Sequence, residues 1–390
     1  MSTIGLTRNR CRCLGALLIA ASVLVAACGG DSSDSASSAS SVTHDSTEGS
    51  ETAVVDATSA SAETTTADIV PAALEGTVRL GYFPNVTHAP ALVGVAEGSF
   101  SAALGKGVDL QTFTFNAGTE AVEALLTESL DITFIGPNPT INAFAKSDGD
   151  AVRIVSGCTS GGAYLVVKPE ITSVDQLAGT TLATPSLGNT QDVALRAWLK
   201  DNGLETTPEG GGDVAILPQS NSTTLESFIN GAIDGAWVPE PWATRLVEEG
   251  GGTVLVDERD LWPDTGGEYI TTHVIVRTDF LNDHPDLVKA VLVGLADAID
   301  AIAADPAKAQ ADVVAQITEI TGSAPDAGTI ATSFSHLTFT LDPIAASLKK
   351  SADDAIAIGL LEPVDLDGIY DLMLLNDVLT QRGKPTVSGL

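Results

Sequence analysis

The chain has 390 residues, with 19 Lys and Arg against 51 Asp and Glu and a formal net charge of −32; at roughly 100–200 residues per domain, that length accommodates two or three domains. Its apolar content of 44% is ordinary for a protein with real cores. The lack of clustered Lys and Arg excludes a nucleic-acid binder and electrostatic adsorption to an anionic bilayer, and four cysteines, only one beyond residue 28, exclude a disulfide scaffold.

Arg8, Arg10 and Arg12 form a basic start, and Leu14 to Ala27 form a short apolar run. Such a run falls short of the roughly 20 residues a membrane-spanning helix needs, so residues 1–27 read as a signal peptide. It ends Val25-Ala26-Ala27-Cys28, which resembles the bacterial lipobox. That resemblance implies cleavage before Cys28, lipidation of its thiol, and contact with the membrane through a lipid anchor only. Residues 28–75 read as an acidic Ser/Thr-rich tether: from 29 to 75 there are nine acids and no Lys or Arg. Too little apolar surface is present to offset the entropy of ordering, and self-repulsion would extend the segment. The acidity itself reads as solubility rather than as a partner signal.

From residue 76 the pattern changes. Val78 to Phe83 reads as a strand, and Pro90 suits the first turn of a helix stopping at Gly98. Val108 to Phe115 alternates like a strand, Ala121 to Leu126 carries a helical stripe, and Asp131 to Ile135 is again a strand. Arg153 to Val155 and Tyr164 to Lys168 add two more. Ser173 to Gln176 and Thr223 to Glu226 read as capping boxes. From Pro285 onward the chain reads as mostly helical, with Pro306, Pro325 and Pro343 as helix starts. Alternating strands and helices indicate βαβ units and mainly parallel sheets.

One internal echo stands out. The stretch from Ala124 to Asp131 leads through a short strand into Pro137-Asn138-Pro139, and Phe228 to Asp234 leads similarly into Pro239-Glu240-Pro241. Two lobes built on one plan would produce this. Ligands of open α/β sheets sit beyond the carboxyl ends of the strands. Four loops fit that place: Asn85–His88, Gly136–Thr140, Thr159–Ala163 and Ser186–Gln191. All are rich in Gly, Ser, Thr and Asn and poor in charge, which suits a small oxyanion held by neutral donors at helix starts. Cys158, ending an apolar strand, reads as inert core rather than as a nucleophile paired with His88 or His273. Beyond Cys28 there is no His-x-x-x-His or Cys-x-x-Cys pair, so metal catalysis has no support.

The segment Gly81-Tyr82-Phe83-Pro84-Asn85-Val86-Thr87-His88-Ala89-Pro90-Ala91 is similar to the opening of solute-binding proteins for aliphatic sulfonates. So are Phe134 to Pro139, Thr159 to Gly162, Leu187 to Asp192 and Trp237 to Trp242. The wider group includes nitrate, taurine and thiamine-precursor binders of ABC importers, and the resemblance runs from about Val78 to Leu379.

The resemblance implies a type II periplasmic-binding-protein fold, two α/β lobes with a ligand cleft between them. Lobe 1 would comprise residues 76–167 and 274–390, and lobe 2 residues 168–273, with crossings near Tyr164–Lys168 and Thr271–Arg277. It implies a lipid-anchored, extracytoplasmic monomer that takes no cofactor, does no catalysis, and passes a small anion to a permease with its ATPase. Carried over by motif, the ligand-binding positions are Asn85, His88, Asn138, Ser160 and Gly161 in lobe 1, and Asn189, Thr190, Gln191, Trp237 and Glu240 in lobe 2. Thr271 and Thr272 come from the hinge. The favoured ligand is a small aliphatic sulfonate; nitrate, a thiamine-precursor pyrimidine, and an enzyme of the same fold are the alternatives. A carboxylate such as Glu240 would repel a sulfonate unless it met an amine, a water or an Arg.

Overall fold

A computed structural model describes residues 73–390; the expected signal peptide and Cys28 lie outside the described residues, as does nearly all of the tether. Among the described residues, no helix is long and apolar enough to cross a membrane.

The first stretch runs β1 (Gly76–Tyr82), α1 (Ala89–Ala96), α2 (Ser99–Leu104), β2 (Val108–Thr114), α3 (Gly118–Leu126), β3 (Ile132–Ile135), α4 (Pro137–Lys146) and β4 (Val152–Gly161). The middle stretch runs β5 (Ala163–Val167), β6 (Thr181–Thr184), α5 (Thr190–Asp201), β7 (Ala215–Pro218), α6 (Asn221–Ile229), β8 (Gly235–Pro239), α7 (Trp242–Glu248) and β9 (Thr253–Asp257). The last runs β10 (Ile270–Arg277), α8 (Thr278–Asp283), α9 (Pro285–Ala304), α10 (Pro306–Thr321), α11 (Ala327–Ser335), β11 (Leu337–Phe339), α12 (Ala345–Ala357) and α13 (Met373–Gln381).

These strands form two sheets, in the orders β11-β4-β10-β3-β1-β2 and β7-β6-β8-β5-β9. In the first, β2, β1 and β3 are parallel and β10 runs against β3. In the second, β7, β6 and β8 are parallel and β5 runs against β8. The two lobes therefore share one plan. β3 and β8 are buried along their whole length, as expected of parallel strands with helices on both faces. Separate apolar clusters cover the two faces of each sheet, so each lobe carries its own core.

The internal echo has a physical counterpart. Asp131, just before β3, accepts the backbone N–H of Arg79 at 2.9 Å and pairs with the Arg79 guanidinium at 2.6 Å. Asp234, just before β8, accepts the backbone N–H of Thr181 at 2.9 Å and pairs with Lys168 at 2.8 Å. Each carboxylate ties the start of one parallel strand to its neighbour.

The chain crosses between sheets at Gly161-Gly162, both at positive φ (81° and 77°), where side chains are disfavoured. It returns ahead of Ile270. Both crossings come a few residues earlier than the sequence reading placed them. Tyr164–Val167 pairs with β8 and β9 in the second sheet, and residues 270–273 already belong to the first. The strands on either side of the glycine pair are both buried, so burial does not separate the end of one sheet from the start of the other.

Two other expectations shift. The cap of α6 is Ser220, whose Oγ accepts the Thr223 N–H at 3.3 Å, so the helix starts ahead of the Thr223–Glu226 box. β11 interrupts the helical C-terminal region and pairs with β4.

Candidate ligand-binding site

Between the lobes lies a cavity of about 40 Å³, room for about three water-sized groups. Its wall is built from helix starts. Thr87 and His88 precede α1, Ala117 and Gly118 open α3, and Gly136 caps α4. From the other lobe come Asn189, Thr190 and Gln191 at the start of α5 and Asn221 at the start of α6. Each helix start carries roughly half a positive charge and unpaired N–H groups. Five of them face one small space, and no Asp, Glu, Lys or Arg lines it. Such a wall attracts an anion without burying a counter-ion.

His88 is the one titratable residue in the wall. It is 3% exposed, and burial pushes its pKa down to about 3, so the ring is neutral. Phe83 stacks on it at 4.5 Å and donates its backbone N–H to Nδ1 at 3.4 Å. The α5 loop is held from behind by Asp192. Its carboxylate accepts from Thr184 Oγ1 at 2.8 Å, the Gly188 N–H at 2.9 Å and Arg196 Nε at 3.0 Å. Asp192 and Arg196 are almost wholly buried, so the pair adds no net charge behind the loop.

The lobes meet around this cavity. Trp242 Nε1 donates to Asn85 Oδ1 at 2.9 Å from one lobe to the other. Glu240 accepts from Ser333 Oγ at 3.1 Å and lies 2.7 Å from His336 Nδ1. A Cβ on Gly136 would come within 2.5 Å of Thr190 Oγ1 across the cleft. The arrangement is closed.

Of the residues expected from sequence, Asn85, His88, Asn189, Thr190, Gln191, Thr271 and Thr272 line this cavity together. Five do not. Asn138 donates Nδ2 to the Ser351 carbonyl at 3.0 Å, and Ser160 Oγ accepts the Tyr269 N–H at 3.3 Å. Gly161 serves the crossing. Trp237 is fully buried in the lobe 2 core, with Nε1 donating to Glu258 at 2.7 Å. Glu240 is spent on Thr244, Ser333 and His336, which resolves the repulsion its carboxylate posed. Sequence reading missed Asn116 and Asn221. Both flank helix starts, and Ser220 as a cap was the available signal for the second.

A larger outer chamber of about 810 Å³ opens beyond, sharing Asn85, Asn116 and Asn221 with the inner one. Phe115, Trp242, Ile317 and Ile320 give it apolar walls, and the Arg245 guanidinium stacks on Trp242 at 4.8 Å.

Two lobes of one plan, closed over a cavity fed by helix starts, define a periplasmic-binding-protein fold. The chain belongs to the NMT1-like family, matched over residues 72–319. The taurine-binding periplasmic protein of Escherichia coli K12 is 29% identical over 219 residues, covering 56% of this chain and 64% of that protein. Bicarbonate-binding protein CmpA of Synechococcus is 23% identical over 248 residues, covering 57% of this chain and 53% of that protein. The chain thus spans less than two thirds of the length of either relative. The alkanesulfonate-binding protein SsuA of Xanthomonas axonopodis, bound to MOPS, superimposes with a TM-score of 0.62 at 20% identity, covering 75% of this chain and 96% of that one.

Proposed function

We propose that this protein is the extracytoplasmic solute-binding component of an ABC importer, capturing a small aliphatic sulfonate and handing it to a membrane permease driven by a separate ATPase. The observation that carries this is the convergence of five helix starts on a closed, charge-free cavity. Acceptor oxygens of an oxyanion satisfy those donors, and the absence of a counter-ion keeps release possible. The outer chamber gives an alkyl or aminoalkyl substituent somewhere to go, against Phe115 and Trp242. Taurine and alkanesulfonate binding in the named relatives supports the same class.

A second reading, nitrate, is favoured by the inner volume alone. Anchoring through lipidated Cys28, with the acidic tether holding a monomeric folded part away from the membrane, completes the proposal. Such a role calls for binding and release rather than turnover. Calorimetry with methanesulfonate, ethanesulfonate, taurine and nitrate tests it. Saturable heat with a sulfonate and unchanged ligand afterwards is expected. If none of these anions binds, the proposal falls.

A further inference from the structure

Where the chain passes from one sheet to the other, backbone groups leave their ladders and need other partners. At the first crossing those partners come from the second. The Gly161 N–H donates to the Tyr269 carbonyl at 3.3 Å, and the Ala163 N–H donates to the Tyr269 phenol oxygen at 3.2 Å. In the other direction, the Tyr269 N–H donates to Ser160 Oγ at 3.3 Å, and the Thr271 hydroxyl donates to the Gly161 carbonyl. Bonds thus tie residues 160–163 to residues 269–271 on both sides of the Gly161-Gly162 joint, which has no side chains of its own to hold it.

Two local features put these groups in place. Thr271 is an extra residue in its strand: Ile270 stands opposite Ser160 and Thr272 opposite Thr159, which leaves Thr271 as a bulge. A bulge turns a side chain out of the regular alternation, here toward the Gly161 carbonyl. Tyr269 is 1% exposed and stacks on Trp262 at 5.4 Å, nearly parallel, which fixes the ring and with it the phenol oxygen. Thr271 also lines the inner cavity, so it belongs at once to the cavity wall and to the joint.

We infer that Tyr269 and Thr271 are positioning residues: their bonds to Gly161 and Ala163 staple the two crossings into one joint, and that joint sets how readily the lobes part. The torsions on either side of the Gly161–Gly162 peptide carry one sheet relative to the other. Glycine resists such rotation less than any other residue, so the restraint has to come from outside the pair. The Thr271 hydroxyl holds the plane of that peptide through its oxygen, and the Tyr269 phenol holds the next N–H along.

Exchange of indole N–H protons with solvent, followed by NMR on the protein without added ligand, provides the test. Trp242 Nε1–H is bonded across the cleft to Asn85, away from both crossings, whereas Trp237 Nε1–H is bonded to Glu258 inside lobe 2 and serves as the internal control. Tyr269→Phe keeps the ring against Trp262 and removes the oxygen that accepts from Ala163. Thr271→Val keeps the shape and removes the hydroxyl. Each is expected to speed exchange at Trp242 at least about threefold, the worth of one modest hydrogen bond, and to leave Trp237 unchanged. Thr271→Ser retains the hydroxyl and should exchange at the wild-type rate. Unchanged Trp242 exchange in either of the first two variants overturns the inference. So does equal acceleration at Trp242 and Trp237, which marks a general loss of stability, and so does a serine variant that behaves like the valine one. These measurements need no bound anion, so their outcome is separate from that of the proposed function.

Discussion

The Glu240 carboxylate and the His336 imidazole sit 2.7 Å apart, one on each lobe, with Glu240 only 1% exposed. Two of the bonds to Glu240 come from its own lobe, the Thr244 N–H at 3.1 Å and Thr244 Oγ1 at 2.8 Å. The other two, from Ser333 and His336, come from the opposite lobe. A motion that separated the lobes at this point would strip a buried carboxylate of half its partners. The pair thus bridges the lobes, and the expectation that it acts as a clasp can be tested.

Glu240→Gln keeps the shape and weakens the charge-assisted bonds, each worth about 1.5–3 kcal/mol with an ionised partner. Its effect should fall on closure. Affinity for the ligand is expected to drop about tenfold, and the ligand-free protein should show a larger radius of gyration in small-angle scattering. Wild-type affinity together with an unchanged scattering profile would mean that the clasp holds nothing.

Gly136 reports on the same closure from inside the cavity. Its φ of −75° suits any residue, so an alanine there meets no backbone strain. The added Cβ would instead lie 2.5 Å from Thr190 Oγ1 on the other lobe. Gly136→Ala should therefore leave the melting temperature of the ligand-free protein within a degree or two, on the order of 0.5 kcal/mol. Ligand affinity should fall about tenfold or more, since the lobes can no longer seat. Adding Thr190→Ala should recover part of the loss, a non-additivity that contacting residues show and distant ones do not. Equal losses in the single and double variants would argue against the contact.

Much of this was legible in the residues. Period-two strands, helix stripes and the repeated Pro-X-Pro units indicated two α/β lobes, because local hydropathy and turn chemistry report directly on those features. Loops at helix starts pointed to Asn85, His88 and Asn189–Gln191. What the sequence concealed was direction. Trp237 and Trp242 stand five residues apart in one motif, yet the first turns into the core against Glu258 and the second reaches over the cleft to Asn85. Glu240 looked like a ligand contact because its partners, Ser333 and His336, lie some ninety residues away. Asn138 lies in the first turn of α4 and Ser160 near the end of β4, and both bond the backbone of other segments. Side-chain orientation at a strand end is decided by tertiary packing, and no periodicity encodes it.

His88 sets how binding depends on pH. Burial holds its pKa near 3, against an ordinary 6.5, so the ring is uncharged through the neutral range. Anion affinity should accordingly stay flat, within about twofold, between about pH 6 and pH 8.5. A wall relying on a charged imidazole would instead tighten its grip steadily on acidification, approaching tenfold per pH unit above its pKa. Stability carries the opposite sign. A depressed imidazole contributes fully above about 6.5 and loses its contribution as pH falls toward 3. Calorimetric titrations across that range check the first statement, and a strong gain in affinity below neutrality would refute it.

Glu258 tests whether Trp237 belongs to the core. Burial raises its carboxyl pKa to about 7 from an ordinary 4.5, with the Trp237 N–H at 2.7 Å working in the other direction. The folded state therefore holds a proton that the unfolded chain has already released. The stability this contributes is fully present below about pH 4.5 and is lost as pH rises through about 7. Glu258→Gln keeps an acceptor for the indole and removes the titration. Chemical denaturation at about pH 5 and about pH 8 should show wild type losing on the order of 2–3 kcal/mol relative to the variant as pH increases, an upper figure for a shift of this size. Ligand affinity should be the same in both proteins, because neither side chain lines the cavity. A pH-independent difference in stability would show that Glu258 is ionised in the folded protein. A change in affinity without one in stability would return Trp237 to the binding site.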